Sequence, residues 1–206
     1  MNMKLFTRTT LSFLVLFLAA CSEAPKTTET QKEPPKPPEP VTGLTAFYEM
    51  YKPARNWAKD LEGVKLTSAN LPDVKSTPGK AGGWQAVFAS PSLSESRSFS
   101  YSAVEGPATR KGVTAGSTSG WSPKPTSKSF PMSAIKIDSD KACEVAMSKG
   151  ADYAKKNPDK PITFLLEQTD RFPNPAWRVI WGETVGSSNY SIFVDATTGQ
   201  YLRTVR

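Results

Sequence analysis

Residues 22 to 40 hold no aromatic and no branched aliphatic side chain, and they consist mainly of Pro, Lys, Glu and Thr. Such a segment cannot bury enough apolar surface to offset the chain entropy that folding removes. Proline instead biases it toward extended polyproline II, at about 3.1 Å per residue. The sequence therefore predicts a semi-rigid tether of roughly 60 Å over residues 21–41, with the folded domain in the residues that follow. A proline-motif ligand for another protein is the alternative.

The N-terminus is typical of a secretory signal. Lys4 and Arg8 supply positive charge, and the apolar run Leu11–Leu18 is shorter than the about 20 residues that cross a bilayer as a helix. The four residues that end at Cys21, Leu-Ala-Ala-Cys, resemble the lipobox of bacterial lipoproteins. This resemblance implies a signal peptide over residues 1–20 that is removed, and diacylation of the Cys21 thiol. The alternatives are an ordinary signal peptide with an incidental cysteine, or an uncleaved anchor.

The lipobox also implies a location. Its processing supplies three acyl chains, and stable anchoring in a membrane needs at least two. In lipoproteins, Asp after the cysteine favours retention in the inner membrane; this protein has Ser22, which implies the outer membrane if the cell has one. Loss of Lys4 and Arg8 would lower the formal net charge from +7 to +5. We expect an envelope protein bound to membrane lipid through Cys21, and nucleic acid is not an expected partner of an exported protein.

Cysteine usage limits the type of domain. The protein has two cysteines, so acylation of Cys21 would leave Cys143 without an intrachain partner and exclude a disulfide scaffold. Ala142, Ala146 and Met147 recur around Cys143 at helical spacing. This pattern predicts that Cys143 packs at or near the buried face of a helix as a small apolar side chain. A reactive or pairing thiol is the alternative.

Hydrophobic periodicity predicts two units with the same order of elements, a helix followed by an antiparallel meander. The first unit covers residues 42–106, a flexible connection rich in Gly, Ser, Thr, Pro and Lys covers 107–131, and the second unit covers 132–206. The predicted helices span residues 44–60 and 139–156; the predicted strands span 64–71, 84–90, 97–104, 162–168, 177–183, 189–195 and 200–205. The fold class that this order favours is α+β.

The two units also match in local sequence. Trp84–Phe88 reads Trp-Gln-Ala-Val-Phe, and Trp177–Trp181 reads Trp-Arg-Val-Ile-Trp. This agreement favours an internal duplication. Chance similarity between amphipathic hairpins is the alternative.

The second unit resembles the PepSY domain. In that family a helix precedes a meander with a Trp-x-Val strand, a Tyr-x-Val-x-Val-Asp strand and a turn that ends in Gly. The matching residues are Trp177 to Val179, Tyr190 to Asp195, and Gly199, within about 134–206. The first unit departs from this pattern because no Asp-x-x-x-Gly turn follows Val104. Two such units in tandem are similar to β-lactamase inhibitory protein, whose sheet presents an aromatic protein-binding face.

Asp195 and Gly199 bracket one turn of this pattern. An Asp side chain can accept hydrogen bonds from turn amides, and glycine supplies the positive φ that a short hairpin loop needs. We expect both residues to be structural. A cation or ligand site is the alternative.

The residues give little indication of catalysis. The sequence has no histidine, which is the commonest general base and metal ligand, and it contains no nucleophile elbow and no phosphate-binding glycine loop. Capping of one helix explains the nearby carboxylates Asp138, Asp140 and Glu144. We therefore expect a protein that is not an enzyme and has no cofactor and no metal, with paired-carboxylate hydrolysis as the remaining catalytic alternative.

A single sheet covered by helices on one side leaves its other side open. If the tryptophan faces of the two matched strands point inward, four residues lie on the open side: Gln85, Val87, Arg178 and Ile180. A mixed polar and apolar face of this kind suits a protein partner. The expected function is a non-enzymatic protein- or peptide-binding module that modulates a peptidase or envelope assembly. A binder of a small molecule or glycan is the alternative.

Overall fold

The computed structural model describes residues 37–107 and 109–206. The predicted signal peptide, Cys21 and most of the predicted tether lie outside the described residues. Within the described ranges, none of the helices has both the length and the apolar character that crossing a bilayer requires.

The described residues form three α-helices and ten β-strands, with one short 3-10 helix at Met132–Ala134. The helices are α1 (Gly43–Ala54), α2 (Ser139–Lys149) and α3 (Ala151–Lys156). The strands are β1 (Val41–Thr42), β2 (Glu62–Ala69), β3 (Lys80–Ala81), β4 (Gly83–Ser90), β5 (Glu95–Ser102), β6 (Gly112–Gly120), β7 (Ile162–Glu167), β8 (Ala176–Trp181), β9 (Ser191–Asp195) and β10 (Tyr201–Val205).

Eight strands form one antiparallel sheet in the order β10-β9-β8-β7-β2-β4-β5-β6. The predicted α+β class and antiparallel sheet are therefore confirmed. The sheet strands that follow α1, namely β2, β4, β5 and β6, form one half of the sheet, and the strands that follow α2, β7 to β10, form the other half. The two halves join where β2 pairs with β7, over three positions from Lys65–Glu167 to Thr67–Leu165. Strands β1 and β3 form a separate two-stranded ladder.

The region predicted as a flexible connection contains strand β6, which pairs with β5 along one edge of the sheet. Its sequence, Gly-Val-Thr-Ala-Gly-Ser-Thr-Ser-Gly, lacks the apolar alternation that marks a half-buried strand. Most of its side chains are exposed, so no apolar pattern is needed there. Phe130, which the prediction also placed in the connection, is fully buried. Its amide donates to the carbonyl of Gly63 at 2.8 Å, so this residue belongs to the core.

The first predicted helix is shorter than its periodicity indicates, and the second is divided within its predicted range. Helix α1 ends at Ala54, and Pro53, which has no amide to donate, lies in its last turn. The predicted second helix is divided at Gly150 into α2 and α3, since glycine is a poor helix former.

The helices cover one face of the sheet and enclose the core. Its largest fully buried side chains include Trp84, Trp177 and Trp181, and Phe47 of α1 stacks on Phe88 of β4 with ring centroids 4.8 Å apart. Cys143 of α2 is 1% exposed in this core. Burial raises the pKa of its thiol to about 11.

The first turn of α1 is capped by residues from the second half. The amide of Gly43 donates to Ser139 Oγ at 2.7 Å, and the amide of Leu44 donates to Asp138 Oδ1 at 2.9 Å. Asp138 Oδ1 also accepts from the amide of Ser139, at the start of α2, at 2.6 Å. Thr42 precedes α1 but makes no capping bond. One Asp-Ser pair therefore satisfies amides at both helix N-termini.

The close approach of α1 to the two core tryptophans requires glycine at residue 43. A Cβ there would lie 2.6 Å from Cη2 of Trp177 and 3.1 Å from Cη2 of Trp84. A larger residue would push the helix away from the sheet, so this glycine sets the packing distance at the junction of the halves.

Candidate functional site

The side chains that alternate with the buried ones define the outer face, the face of the sheet opposite the helices. On β4, Trp84, Ala86 and Phe88 point into the core, so Gln85 and Val87 lie on the outer face. The register of the neighbouring strands places these residues on the same face: Lys65, Thr67, Gln85, Val87, Ser98, Leu165, Glu167, Arg178, Ile180 and Phe193.

The four predicted contact residues lie on this face but differ in exposure. Gln85 is exposed, whereas Val87 and Arg178 are half-buried. Ile180 is 2% exposed, so the prediction that it contacts a partner is corrected. Its neighbours in the adjoining strands, Thr163 and Ser191, are buried as well.

These four residues do not form one site. Strands β7 and β2 lie between β8 and β4, which places Gln85 three strand spacings from Arg178, roughly 14 Å away. The structure therefore divides the predicted surface into two patches, one in each half of the sheet.

The first patch is a polar strip on β2, β4 and β5. Lys65, Gln85 and Ser98 are exposed on these three neighbouring strands. Val87 lies between Lys65 and Ser98 in the register, so one half-buried apolar side chain is flanked by polar ones. We call the surface of these four residues the polar strip.

The second patch centres on the ring of Phe193. The guanidinium carbon of Arg178 lies 5.3 Å from the ring centroid, and that of Arg171 lies 5.6 Å from it. Phe172 packs against the same ring with centroids 5.3 Å apart. Arg178 Nε donates to Ser191 Oγ at 2.9 Å, which fixes the direction of its side chain. Two like charges are thus held on one aromatic ring.

Glu167 lies beside these arginines. Burial raises the pKa of its carboxyl, and the charges of Lys65, Arg178 and Arg171 act in the opposite direction. Burial lowers the pKa of Arg178; the Glu167 charge opposes this shift, and Arg171 adds to it. In the part of the protein that the structure describes, none of these groups belongs to a salt bridge, since the ion pairs there are Lys52–Glu49, Lys128–Asp170 and Lys141–Glu144.

These side chains line a cavity of about 390 Å³, which we call the arginine cavity. Its charged and aromatic lining comprises Glu167, Asp170, Arg171, Phe172, Arg178 and Phe193. Sequence reasoning singled out Arg178 alone. Asp170, Arg171 and Phe172 lie in the connection between β7 and β8, where no motif marks them. One part of this cavity is predictable from the sequence. Side chains alternate between the two faces along β9, so Phe193 lies on the outer face because its neighbour Ile192 points into the core.

The Asp195 carboxylate is engaged within its own turn. Its Oδ1 accepts from the amides of Thr197 and Thr198, both at 2.8 Å, and its Oδ2 accepts from Asn174 Nδ2 at 3.1 Å. Burial would raise the pKa of Asp195, but these hydrogen bonds outweigh burial and lower it. Gly199 closes the turn at φ +77°, in the left-handed region.

The carboxylates near the start of α2 have local contacts. Asp138 caps both helices as described, and Glu144 accepts from Lys141 Nζ at 2.8 Å. Across residues 37–107 and 109–206, no three His, Cys, Asp or Glu side chains are grouped closely enough to hold a metal ion.

Comparison with known proteins adds little. No protein-family model matches the sequence, and no curated protein matches it. One crystal structure, of a protein from Clostridium difficile 630 described as a candidate lipoprotein, aligns with 77% of this protein and 91% of its own length. The sequences are 9% identical and the TM-score is 0.42, which is too low for the likeness to bear on fold or function. The resemblance to PepSY domains therefore stays a prediction.

Proposed function

We propose that this protein is a lipid-anchored component of the cell envelope that binds a protein or peptide on the outer face of its sheet and is not an enzyme. The observation that carries this proposal is the polar strip, where Lys65, Gln85 and Ser98 are exposed on three neighbouring strands around Val87. Polar side chains around a partly buried apolar one resemble the mixed composition of non-obligate protein interfaces.

The proposal includes an internal duplication into two PepSY-like units that present one continuous sheet. Each half has a helix followed by four consecutive strands of the sheet, and the strand order mirrors itself about the β2–β7 pair. Trp84 Nε1 donates to the carbonyl of Val41 at 3.1 Å, and Trp177 Nε1 donates to that of Ile137 at 2.8 Å. Each acceptor lies two residues before the start of a helix, which supports a common origin for the two halves.

The membrane anchor is the part of the proposal that rests on sequence alone. Acylation of Cys21 would hold the domain at a membrane, and Ser22 favours the outer membrane in cells that have one. Growth of a producing bacterium with labelled palmitate should label the wild-type protein, and Cys21→Ser should remove the label and release the protein from the membrane fraction. A Cys143→Ser variant should keep the label. Equal labelling of Cys21→Ser and wild type would reject the anchor.

The binding role is tested by photo-crosslinking in intact cells that produce the full-length protein. A photoreactive residue at Gln85 or Ser98 should give a discrete adduct with one protein. The same residue at Lys59, which is exposed just after α1, serves as the matched control and should not give that adduct. Absence of an adduct from both outer-face positions, with normal protein levels, would reject the proposed function.

A further inference from the structure

We infer that the arginine cavity binds a carboxylate of a partner peptide, supplied either by an acidic side chain or by the carboxyl terminus of the peptide. This inference rests on the proposed function, because it assigns a chemistry to the second patch of the same outer face. The juxtaposition that carries it is Arg171 and Arg178 on the single ring of Phe193, within a cavity of about 390 Å³.

The two guanidinium groups are held together although their charges repel. Phe193 is 3% exposed and gives both groups a common aromatic surface. Ser191 Oγ fixes Arg178 through Nε, and Arg178 lines the cavity together with Arg171. A guanidinium presents two parallel N–H groups that match a carboxylate, and such charge-assisted pairs are about twice as strong as neutral hydrogen bonds. An incoming carboxylate would satisfy these donors and offset the repulsion between the arginines.

The charge around the cavity is complementary to an anion. Lys65 and both arginines act on Glu167, whose burial makes its own ionisation less favourable. The other lining carboxylate, Asp170, is already paired with Lys128. Glu167 is therefore the one carboxylate of the lining that lies beside the two arginines and is not already paired.

The lining favours a peptide carboxylate over a phosphate group. Phe172 and Phe193 supply an aromatic surface beside the arginines, which suits a short segment with an apolar residue next to its carboxylate. A cavity of about 390 Å³ is at the small end of the range for ligand sites and suits one or two side chains. Glu167 would also repel a doubly charged phosphate more strongly than a singly charged carboxylate.

The test is a titration of the full-length protein, isotope-labelled and purified in detergent micelles, followed by NMR chemical shifts. The probe is acetyl-Phe-Glu with both carboxylates free. Its matched control is acetyl-Phe-Gln-amide, which keeps the ring and has no negative charge. The acidic peptide should shift the resonances of Arg171, Arg178 and Phe193, and the neutral peptide should bind at least tenfold more weakly. Equal binding of the two peptides would overturn the inference.

Variants localise the binding. Arg178→Gln and Arg171→Gln should each weaken binding of acetyl-Phe-Glu about tenfold, which is the effect of losing one charge-assisted contact. Arg178→Lys should weaken it less, since it keeps the charge but loses the planar fork. Arg55→Gln removes the same charge from an exposed site after α1 and should have no effect. Arginine variants that fold, as judged by their spectra, and bind like wild type would overturn the inference.

Phenyl phosphate distinguishes the anion class. Tighter binding of phenyl phosphate than of acetyl-Phe-Glu would overturn the assignment to a carboxylate. The in-cell crosslinking separates this inference from the proposed function. An adduct at Gln85 without peptide binding at Arg178 would reject the carboxylate site alone. Peptide binding at Arg178 without an adduct would support the carboxylate site and reject the polar strip as the contact surface.

Discussion

The indole rings of Trp84 and Trp177 meet edge to face in the hydrophobic core, with centroids 6.5 Å apart and planes at 73°. One ring comes from β4 and the other from β8, so this contact joins the two halves of the sheet across β2 and β7. Gly43 lies directly against both rings, which brings the start of α1 into the same contact. The core is therefore shared between the halves rather than divided into two.

The first prediction concerns the coupling of these tryptophans. Trp84→Phe and Trp177→Phe should each lower the free energy of unfolding by about 2 kcal/mol, because each removes buried contacts and leaves a backbone carbonyl without its donor. The double variant should lose about 1 kcal/mol less than the sum of the single losses, since the ring pair is lost once. Urea denaturation measures all four proteins. Trp57→Phe, at a half-buried position, is the control. Its effect on the free energy of unfolding should simply add to the effect of Trp84→Phe or of Trp177→Phe.

The second prediction concerns the cap that the helices share. Asp138→Ala should lower the free energy of unfolding by about 2 kcal/mol, the upper end for one N-cap, because it deprives the amides of both Leu44 and Ser139 of their acceptor. Asp140→Ala, in the first turn of α2, is the matched control and should cost well under about 1 kcal/mol. Urea denaturation again supplies the measurement. Equal losses for the two variants would show that Asp138 caps neither helix to a useful extent.

The third prediction concerns Asp60. Hydrogen bonds from Ser90 Oγ and from the amide of Ser92 lower the pKa of its carboxyl from 3.8 to about 2. A depressed pKa stabilises the folded state above pH about 4, and this stabilisation is lost as the pH falls through about 2. In an NMR titration, Ser90→Ala should raise the pKa of Asp60 toward 3.8, whereas Ser100→Ala, on the neighbouring strand, should leave it unchanged. If the pKa of Asp60 is unchanged in Ser90→Ala, another group is responsible for lowering it.

The fourth prediction concerns the thiol of Cys143. Because burial raises its pKa to about 11 and leaves it 1% exposed, the folded protein should react very slowly with a thiol reagent at mildly alkaline pH. The same reagent should react rapidly once urea unfolds the protein, so the rate reports unfolding. The assay needs Cys21→Ser, which leaves one cysteine in the sequence. Fast reaction of the folded protein would contradict the buried position of Cys143.

The sequence predicts the parts of this fold that bury apolar side chains. Strand β8 follows from its period of two, which puts Trp177, Val179 and Trp181 on one face, and the inward direction of Trp84 on β4 follows in the same way. The sequence does not predict strand β6, because Gly, Ser and Thr at a sheet edge give no periodic apolar pattern. Its pairing depends on β5, which only the folded protein places beside it.

The candidate site was predictable only in part, for a similar reason. Alternation places Gln85, Val87, Arg178 and Ile180 on the outer face, but exposure depends on neighbouring strands and loops. Ile180 is 2% exposed although it lies on the outer face. Arg178 lies over the Phe193 ring together with Arg171, which comes from the loop that precedes β8. Strand order and loop conformation are long-range properties, so a local pattern cannot supply them.

The shared cap has a consequence for biosynthesis. A ribosome releases the polypeptide from its N-terminus, so Leu44 emerges 94 residues before Asp138, and Gly43 emerges 96 residues before Ser139. Until then the first turn of α1 lacks the acceptors that it has in the finished protein, and Trp84 lacks its partner ring. The first half therefore stays incompletely closed until the start of α2 has been made. Completion of the first half is therefore coupled to synthesis of the second.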